Sequence, residues 1–148
     1  MKTSDYCNRR VITTKADSSI SEAARLMREH HVGCLVVVTE DDVQQPIGIL
    51  TDRDIVVEIT AQSVPPESVS VKDIMTSNPV VARTEDDILT TLKLMDARGA
   101  RRIPVTDGSG RLAGILSTDD LLEVIHDSLG QLLSIYGREL AQEQTSRA

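Results

Sequence analysis

The chain has no Trp and no Phe, and its only aromatics of that kind are two Tyr in 148 residues. It therefore offers none of the aromatic platforms on which single-stranded nucleic acids stack, and a base bound here would lie between aliphatic side chains. Cysteine is scarce too. Cys7 and Cys34 form no CxxC and no Cys/His ligand spacing, which excludes a disulfide framework or a zinc motif and points to a reducing cytoplasm. No charged-then-apolar signal segment opens the sequence. Asp, Glu, Lys or Arg interrupts every hydrophobic stretch well short of the roughly 20 residues a membrane helix needs, so no membrane partner is expected. Positive charge is also in deficit: 16 Lys and Arg against 23 Asp and Glu leave a net charge of -7. A general attraction to nucleic acid is excluded on that ground, and any anionic ligand must be met by local cations.

What the chain does have is a repeat. A shift of 68 positions pairs Ile20 with Ile88, Leu26 with Leu94, Met27 with Met95, Leu35 with Ile103 and Val37 with Val105. The same shift pairs Asp5-Tyr6-Cys7 with Asp73-Ile74-Met75. Beyond a turn two residues shorter in the second half, a shift of 66 pairs Gly48-Ile49-Leu50-Thr51 with Gly114-Ile115-Leu116-Ser117, and Asp54 with Asp120. Residues 3–62 are the first repeat, 63–70 a linker containing Pro65-Pro66, 71–126 the second repeat, and 127–148 a helical extension.

Each repeat reads strand, helix, strand, strand, helix. Val11 to Thr14 is β-rich, and Ser19 with Glu22 stands at capping-box spacing before a stripe of Ile20, Ala23, Ala24 and Met27. Ile88, Leu92 and Met95 form the matching stripe, and both are expected in the core. Cys34 to Val38 and Ile103 to Thr106 are buried strands, returned by Pro46 to Leu50 and Arg111 to Leu116. The third strand of each repeat runs directly into a helix, a turn expected to point backbone N–H groups outward.

Gly48-Ile49-Leu50-Thr51-Asp52-Arg53-Asp54 and Gly114-Ile115-Leu116-Ser117-Thr118-Asp119-Asp120 resemble the Gly-Ile-x-Ser/Thr-x-x-Asp signature of tandem CBS domains, named after cystathionine β-synthase. Asp73-Ile74-Met75-Thr76 and Arg101-Arg102-Ile103-Pro104-Val105 extend the likeness. The resemblance implies a mixed α/β (α+β) fold of two β-α-β-β-α units about a pseudo-twofold axis, with two clefts at their junction for adenosyl ligands.

It also implies roles. Asp54 and Asp120 would accept from ribose hydroxyls, and Thr51 and Ser117 would hold ribose or phosphate; a carboxylate, as an acceptor only, suits a cis-diol. The same residues at the same spacing also suit plain helix caps. Arg101 and Arg102 stand where nucleotide-binding members of the family carry a phosphate-contacting basic pair, and arginine's fork matches phosphate oxygens. Their alternative is an exposed helix-to-strand turn. Repeat one has Gly33-Cys34 at the equivalent place. The cleft around Ser117 and Asp120 is therefore expected to prefer AMP, ADP or ATP. That around Thr51 and Asp54 should be weaker or take a less anionic compound, with Arg53 compensating in part. Ile12, Val36 and Ile115 are expected to wall one adenine, and Val80 with Ile49 the other.

Other groups carry less. His30 and His31 near Cys34 are favourable at a helix C-terminus without any metal, and no metal site is expected. Glu85-Asp86-Asp87 and Asp119-Asp120 open helices, where negative charge is stabilising, and no nucleophile with a positioned base accompanies them. The chain reads as a non-enzymatic regulatory module, needing no cofactor and sensing an adenine nucleotide as its ligand. The competing reading is a dimerisation or interaction scaffold with vestigial clefts, favoured by the missing basic pair of repeat one. Beyond Leu121, Leu122, Ile125, Leu129, Leu132, Tyr136 and Leu140 recur at threes and fours, with Gly130 and Gly137 expected to weaken or bend the helix. This stripe predicts a homodimer through the CBS faces and the C-terminal helix, or an effector protein as partner.

Overall fold

The computed structural model describes residues 1–147; the last residue of the expected extension, Ala148, lies outside them. The first helix, α1, spans Ile20–His30. Ser19 stays extended at its start and its hydroxyl accepts from the Glu22 N–H at 3.1 Å. Ile20, Ala23 and Met27 face inward, and His31 closes the helix in a left-handed conformation. The equivalent helix of repeat two, Ile88–Arg98, is capped by Asp87 and closed by Gly99 at φ 60°. Its inward residues are Ile88, Thr91 and Met95. Leu92, expected in the core, is instead 40 % exposed, because its side of the helix looks toward the C-terminal helix rather than the sheet.

Around the first helix lie β1 (Thr13–Lys15), β2 (Cys34–Val38) and β3 (Pro46–Thr51). β1 pairs parallel with β2, and β2 antiparallel with β3, with Cys34 opposite Thr51. A short helix α2, Asp52–Ile55, follows at once and continues as a π-helical turn through Val56–Thr60. In repeat two, β5 (Ala82–Arg83), β6 (Arg102–Thr106) and β7 (Leu112–Ser117) repeat the pattern, with Arg102 opposite Ser117. The first strand begins two residues later than expected; Ile12 gives the ladder only its carbonyl, which accepts from the Val36 N–H at 3.2 Å, and Val11 and Ile12 line a cleft. Numbered in chain order, α3 is Val71–Ile74, α4 is Ile88–Arg98 and α5 is Thr118–Arg147.

The two repeats exchange their opening segments. Val71 of α3 is buried with Ile20, Leu35 and Leu50 of repeat one, and the Val71 N–H reaches Ser18 O at 2.8 Å. The next strand, β4 (Thr76–Ser77), joins the edge of β3. Conversely, the 3₁₀ turn Thr3–Asp5 packs on repeat two: Thr3 N–H reaches Asp86 O at 2.8 Å, and its buried hydroxyl lies 2.7 Å from that of Thr91. Asn8 and Ile115 then exchange backbone bonds of 2.8 and 2.9 Å. The stretch between repeats is itself packed, with Val64 and Val69 against the first core.

The signature glycines make the exchange possible. A Cβ on Gly48 would overlap the Met75 thioether and come within 3.2 Å of the Thr76 carbonyl. One on Gly114 would meet Cys7 Sγ at 2.7 Å and the Asn8 carbonyl at 2.9 Å. The third strand of each repeat is thus crossed closely by the opening segment of the other.

Two cores result. Ile20, Leu35, Val37 and Leu50 centre one; Ile103, Val105, Leu116 and Met95 centre the other. The 30-residue α5 starts in the second core at Leu121 and then leaves it, running helical through Gly130 and Gly137. Both glycines have open space where a side chain would be, so tertiary contact neither requires nor opposes them.

Gly114→Ala is expected to destabilise the chain by about 1–3 kcal/mol through overpacking, whereas Gly130→Ala should stabilise it by roughly 0.5–1 kcal/mol through helix propensity. Denaturant melts of both variants measure the contrast.

Candidate functional site

Because the repeats interlock, each signature turn faces strand edges of the other repeat. The turn of repeat two, Ser117 to Asp120, borders a cleft of about 220 Å³ with Ile115 and Arg102. Its opposite wall comes from repeat one: Asn8, Arg10, Val11 and Ile12 from the opening segment, and Val32, Gly33 and Cys34 from the entry to β2. The turn of repeat one borders a larger cleft of about 420 Å³, where Ile49, Thr51, Asp52 and Arg53 meet Arg101 and Arg102.

The turns are capping boxes. Thr51 Oγ1 accepts from the Asp54 N–H at 3.2 Å while Asp54 Oδ2 accepts from the Thr51 N–H at 2.9 Å. Ser117 and Asp120 repeat this at 3.1 and 2.9 Å. The caps engage Oδ2 and do not consume Oδ1, so capping and diol binding are compatible and capping holds the carboxylate in place for it.

The expected cradle of helix N–H groups is largely spent. In α2 the Asp52 N–H bonds Gly33 O at 2.9 Å, the Arg53 N–H bonds Asp52 Oδ1 at 2.8 Å, and the Asp54 N–H bonds Thr51. In α5 the Thr118 N–H bonds Arg101 O at 3.0 Å. Any anion entering these clefts would therefore be met by side chains, and the cleft linings supply cations. Arg53, Arg101 and Arg102 surround the Thr51 cleft beside one carboxylate, Asp52. Arg10 and Arg102 attend the Ser117 cleft beside Asp120. Among the described residues none of these four guanidinium groups belongs to an ion pair.

This arrangement corrects several expectations. Arg101 lines the Thr51 cleft and not the Ser117 cleft, whereas Arg102, opposite Ser117 at the start of β6, lines both. Gly33 and Cys34 sit across from Ser117 and Asp120. At Gly33 an added Cβ would lie 2.8 Å from Asp52 Oδ2, so that exposed carboxylate would have to turn aside. Val36 is fully buried mid-sheet between Thr13 and Ile49 and walls no cleft. Val80 packs on the second core. Asp54 is half-buried behind Thr51 and is not among the residues that line the cleft. Ile12, Ile115 and Ile49 do line clefts. Asn8, Arg10, Val11, Val32 and Asp52 escaped the sequence reading, although Arg10-Val11 directly precedes Ile12.

Burial pushes the Cys34 thiol up from its ordinary value, and the carboxylates of Asp54 and Asp52 add to this while Arg102 opposes it. Burial likewise raises the Cys7 thiol. Both thiols are neutral near pH 7 and act as small apolar groups. Among the described residues no three of His, Cys, Asp and Glu gather to hold a metal ion, and no helix is long and apolar enough to cross a membrane.

The CBS domain family model matches twice, over residues 4–61 and 71–127. The chain belongs to the CBS-domain family. As a tandem CBS pair, it is 40 % identical over 121 residues to the uncharacterized protein MK0525 of Methanopyrus kandleri, covering 81 % of this chain and 60 % of that protein. Among solved structures, it is similar to the CBS domain protein PAE2072 from Pyrobaculum aerophilum complexed with AMP. That likeness has a TM-score of 0.73 and 25 % identity over 82 % of this chain and 90 % of that one. The CBS domain pair of protein MJ0100, in complex with 5-methylthioadenosine and S-adenosyl-L-methionine, gives a TM-score of 0.73 and 25 % identity, covering 86 % and 98 %.

In a Cys7→Ala variant, alkylation of Cys34 by iodoacetamide should run slower than that of a cysteine in an unstructured peptide throughout pH 7–9, and its rate should still be climbing above pH 9. Raising a thiol's pKa lowers the thiolate fraction at every pH below it. A rate matching the peptide's would contradict the burial argument.

Proposed function

We propose that this CBS pair is a non-catalytic regulatory module that binds adenosyl ligands in its two inter-repeat clefts and reports their presence through its assembly or a partner protein. The observation that carries the reading is the shared construction of the clefts. Each sets a capped Ser/Thr-x-x-Asp turn of one repeat against the other repeat, with unpaired arginines at the rim. AMP, 5-methylthioadenosine and S-adenosylmethionine bound to PAE2072 and MJ0100 supply the ligand class.

In the Ser117 cleft the adenine lies between Val11, Ile12 and Ile115, with the ribose on Asp120. The Thr51 cleft, with Arg53, Arg101 and Arg102, takes the more anionic nucleotide, AMP, ADP or ATP. The Ser117 cleft takes a less anionic adenosyl compound. This reverses the order expected from the sequence, because Arg101 stands at the Thr51 cleft alone while Arg102 stands at both. A ligand touching both repeats stabilises one relative orientation over others, which is how occupancy alters the molecule's outer faces.

One such face is apolar. Leu89 and Leu92 of α4, with Met1 and Tyr6, form a groove of about 490 Å³ against Leu122, Ile125, Leu129 and Leu132 of α5. Farther along α5, Tyr136 and Leu140 are also exposed. The residues 122, 125, 129, 132 and 136 keep a three-four spacing suited to helix pairing, and a second copy of the chain is the proposed occupant.

A thermal-shift panel of AMP, ADP, ATP, NAD, S-adenosylmethionine and 5-methylthioadenosine tests the ligand class. A ligand at about 100 times its dissociation constant adds roughly 2.7 kcal/mol of stability. Arg101→Ala should weaken ATP binding about tenfold and adenosine binding little, since a charge-assisted contact contributes roughly 1.5–3 kcal/mol. A flat panel would leave the interaction scaffold as the better account. For assembly, light scattering should show a dimer that Leu129→Glu converts to monomer; a monomeric wild type would refute the proposed pairing.

A further inference from the structure

The two clefts share one side chain. Arg102 begins β6 opposite Ser117, lines the Ser117 cleft, and also lines the Thr51 cleft beside Thr51 and Arg53. Under the shift of 68 its counterpart in repeat one is Cys34, so the symmetric position holds a neutral thiol instead of a second arginine. Arg102 and Cys34 meet across the axis: both line the Ser117 cleft, and the positive charge of Arg102 is felt at Cys34. Each cleft has cations of its own, Arg10 in one and Arg53 with Arg101 in the other. Among the described residues Arg102 is the only cation common to both.

We propose that Arg102 is a single cation for which the two clefts compete, so that an anionic ligand in one weakens the binding of an anionic ligand in the other. This rests on the adenosyl reading above and adds a rule for how the two sites interact. The physical reason is the rigidity of the guanidinium. Its planar fork makes paired hydrogen bonds to one phosphate at a time, and turning toward one cleft withdraws them from the other. Coupling of this kind is reciprocal in the binding constants. It also depends on ligand charge, because a neutral nucleoside makes no claim on the guanidinium. The Ser117 cleft suffers more, since Arg102 is one of its two cations but one of three around Thr51.

Methyl NMR follows each cleft separately, with Ile49 reporting the Thr51 cleft and Ile115 the Ser117 cleft. On titration with AMP, the Ile115 isotherm should shift to about tenfold weaker binding as the Ile49 isotherm saturates. With adenosine the two isotherms should be independent. Arg102→Ala, an exposed change at the start of a strand that leaves both cores untouched, should make them independent for AMP as well. Arg102→Lys, which keeps the charge without the fork, should retain only part of the coupling. Independent or mutually strengthening AMP isotherms in the wild type would overturn the proposal, as would coupling that persists in Arg102→Ala. If neither methyl responds to AMP or adenosine, the adenosyl reading fails and this inference with it; two-cleft binding without coupling removes the shared cation alone.

Discussion

The close crossing of backbone at Gly48 and Gly114 is the contact on which the rest of the molecule depends. There the opening segment of one repeat lies against the third strand of the other, at a distance that admits no side chain. Without that approach β4 would not reach β3, Asn8 would not pair with Ile115, and Val71 would lose its place in the first core. The clefts follow from the same crossing. The Ser117 cleft is walled by the exchanged segment Asn8 to Ile12, and the Thr51 cleft by the start of β6, so each is lined by both repeats.

Duplication built two equivalent frames, and substitution then made them unequal. Gly33-Cys34 and Arg101-Arg102 occupy the same place in the two repeats, yet one pair leaves room for the Asp52 carboxylate and the other presents two guanidinium groups. Since the backbone N–H groups of the α2 turn are spent on caps and strand ends, charge selection there is left to these side chains. A chain with a net charge of -7 thereby keeps a locally basic rim at the Thr51 cleft.

Much of the fold was legible because repeat offsets and periodicity report local geometry. Cys34 to Val38 was read to the residue, and the caps at Ser19, Thr51 and Ser117 followed from spacing. Interleaving was not legible. The offset of 68 says that Arg101 and Gly33 are equivalent, but not that each faces the turn of the opposite repeat, so it does not show that Arg101 lies at the Thr51 cleft and that Arg102 lies at both. Val36 lies mid-sheet and fully buried between Thr13 and Ile49, while Ile12 precedes the strand and gives the ladder only its carbonyl, a difference that apolar character alone does not show. Leu92 fitted the helical stripe of the core, yet the broad apolar face of α4 continues toward α5. Arg10 carried no periodic signal at all, and only the folded position of the segment Asn8 to Ile12 reveals it.

The most direct measurement is a crystal structure of the chain grown with AMP. The account predicts ribose at the Thr51 turn and phosphate against Arg53, Arg101 and Arg102, with both repeats contributing to the same molecule. AMP bound with its phosphate away from these arginines, or clefts that stay empty at millimolar AMP, would contradict it.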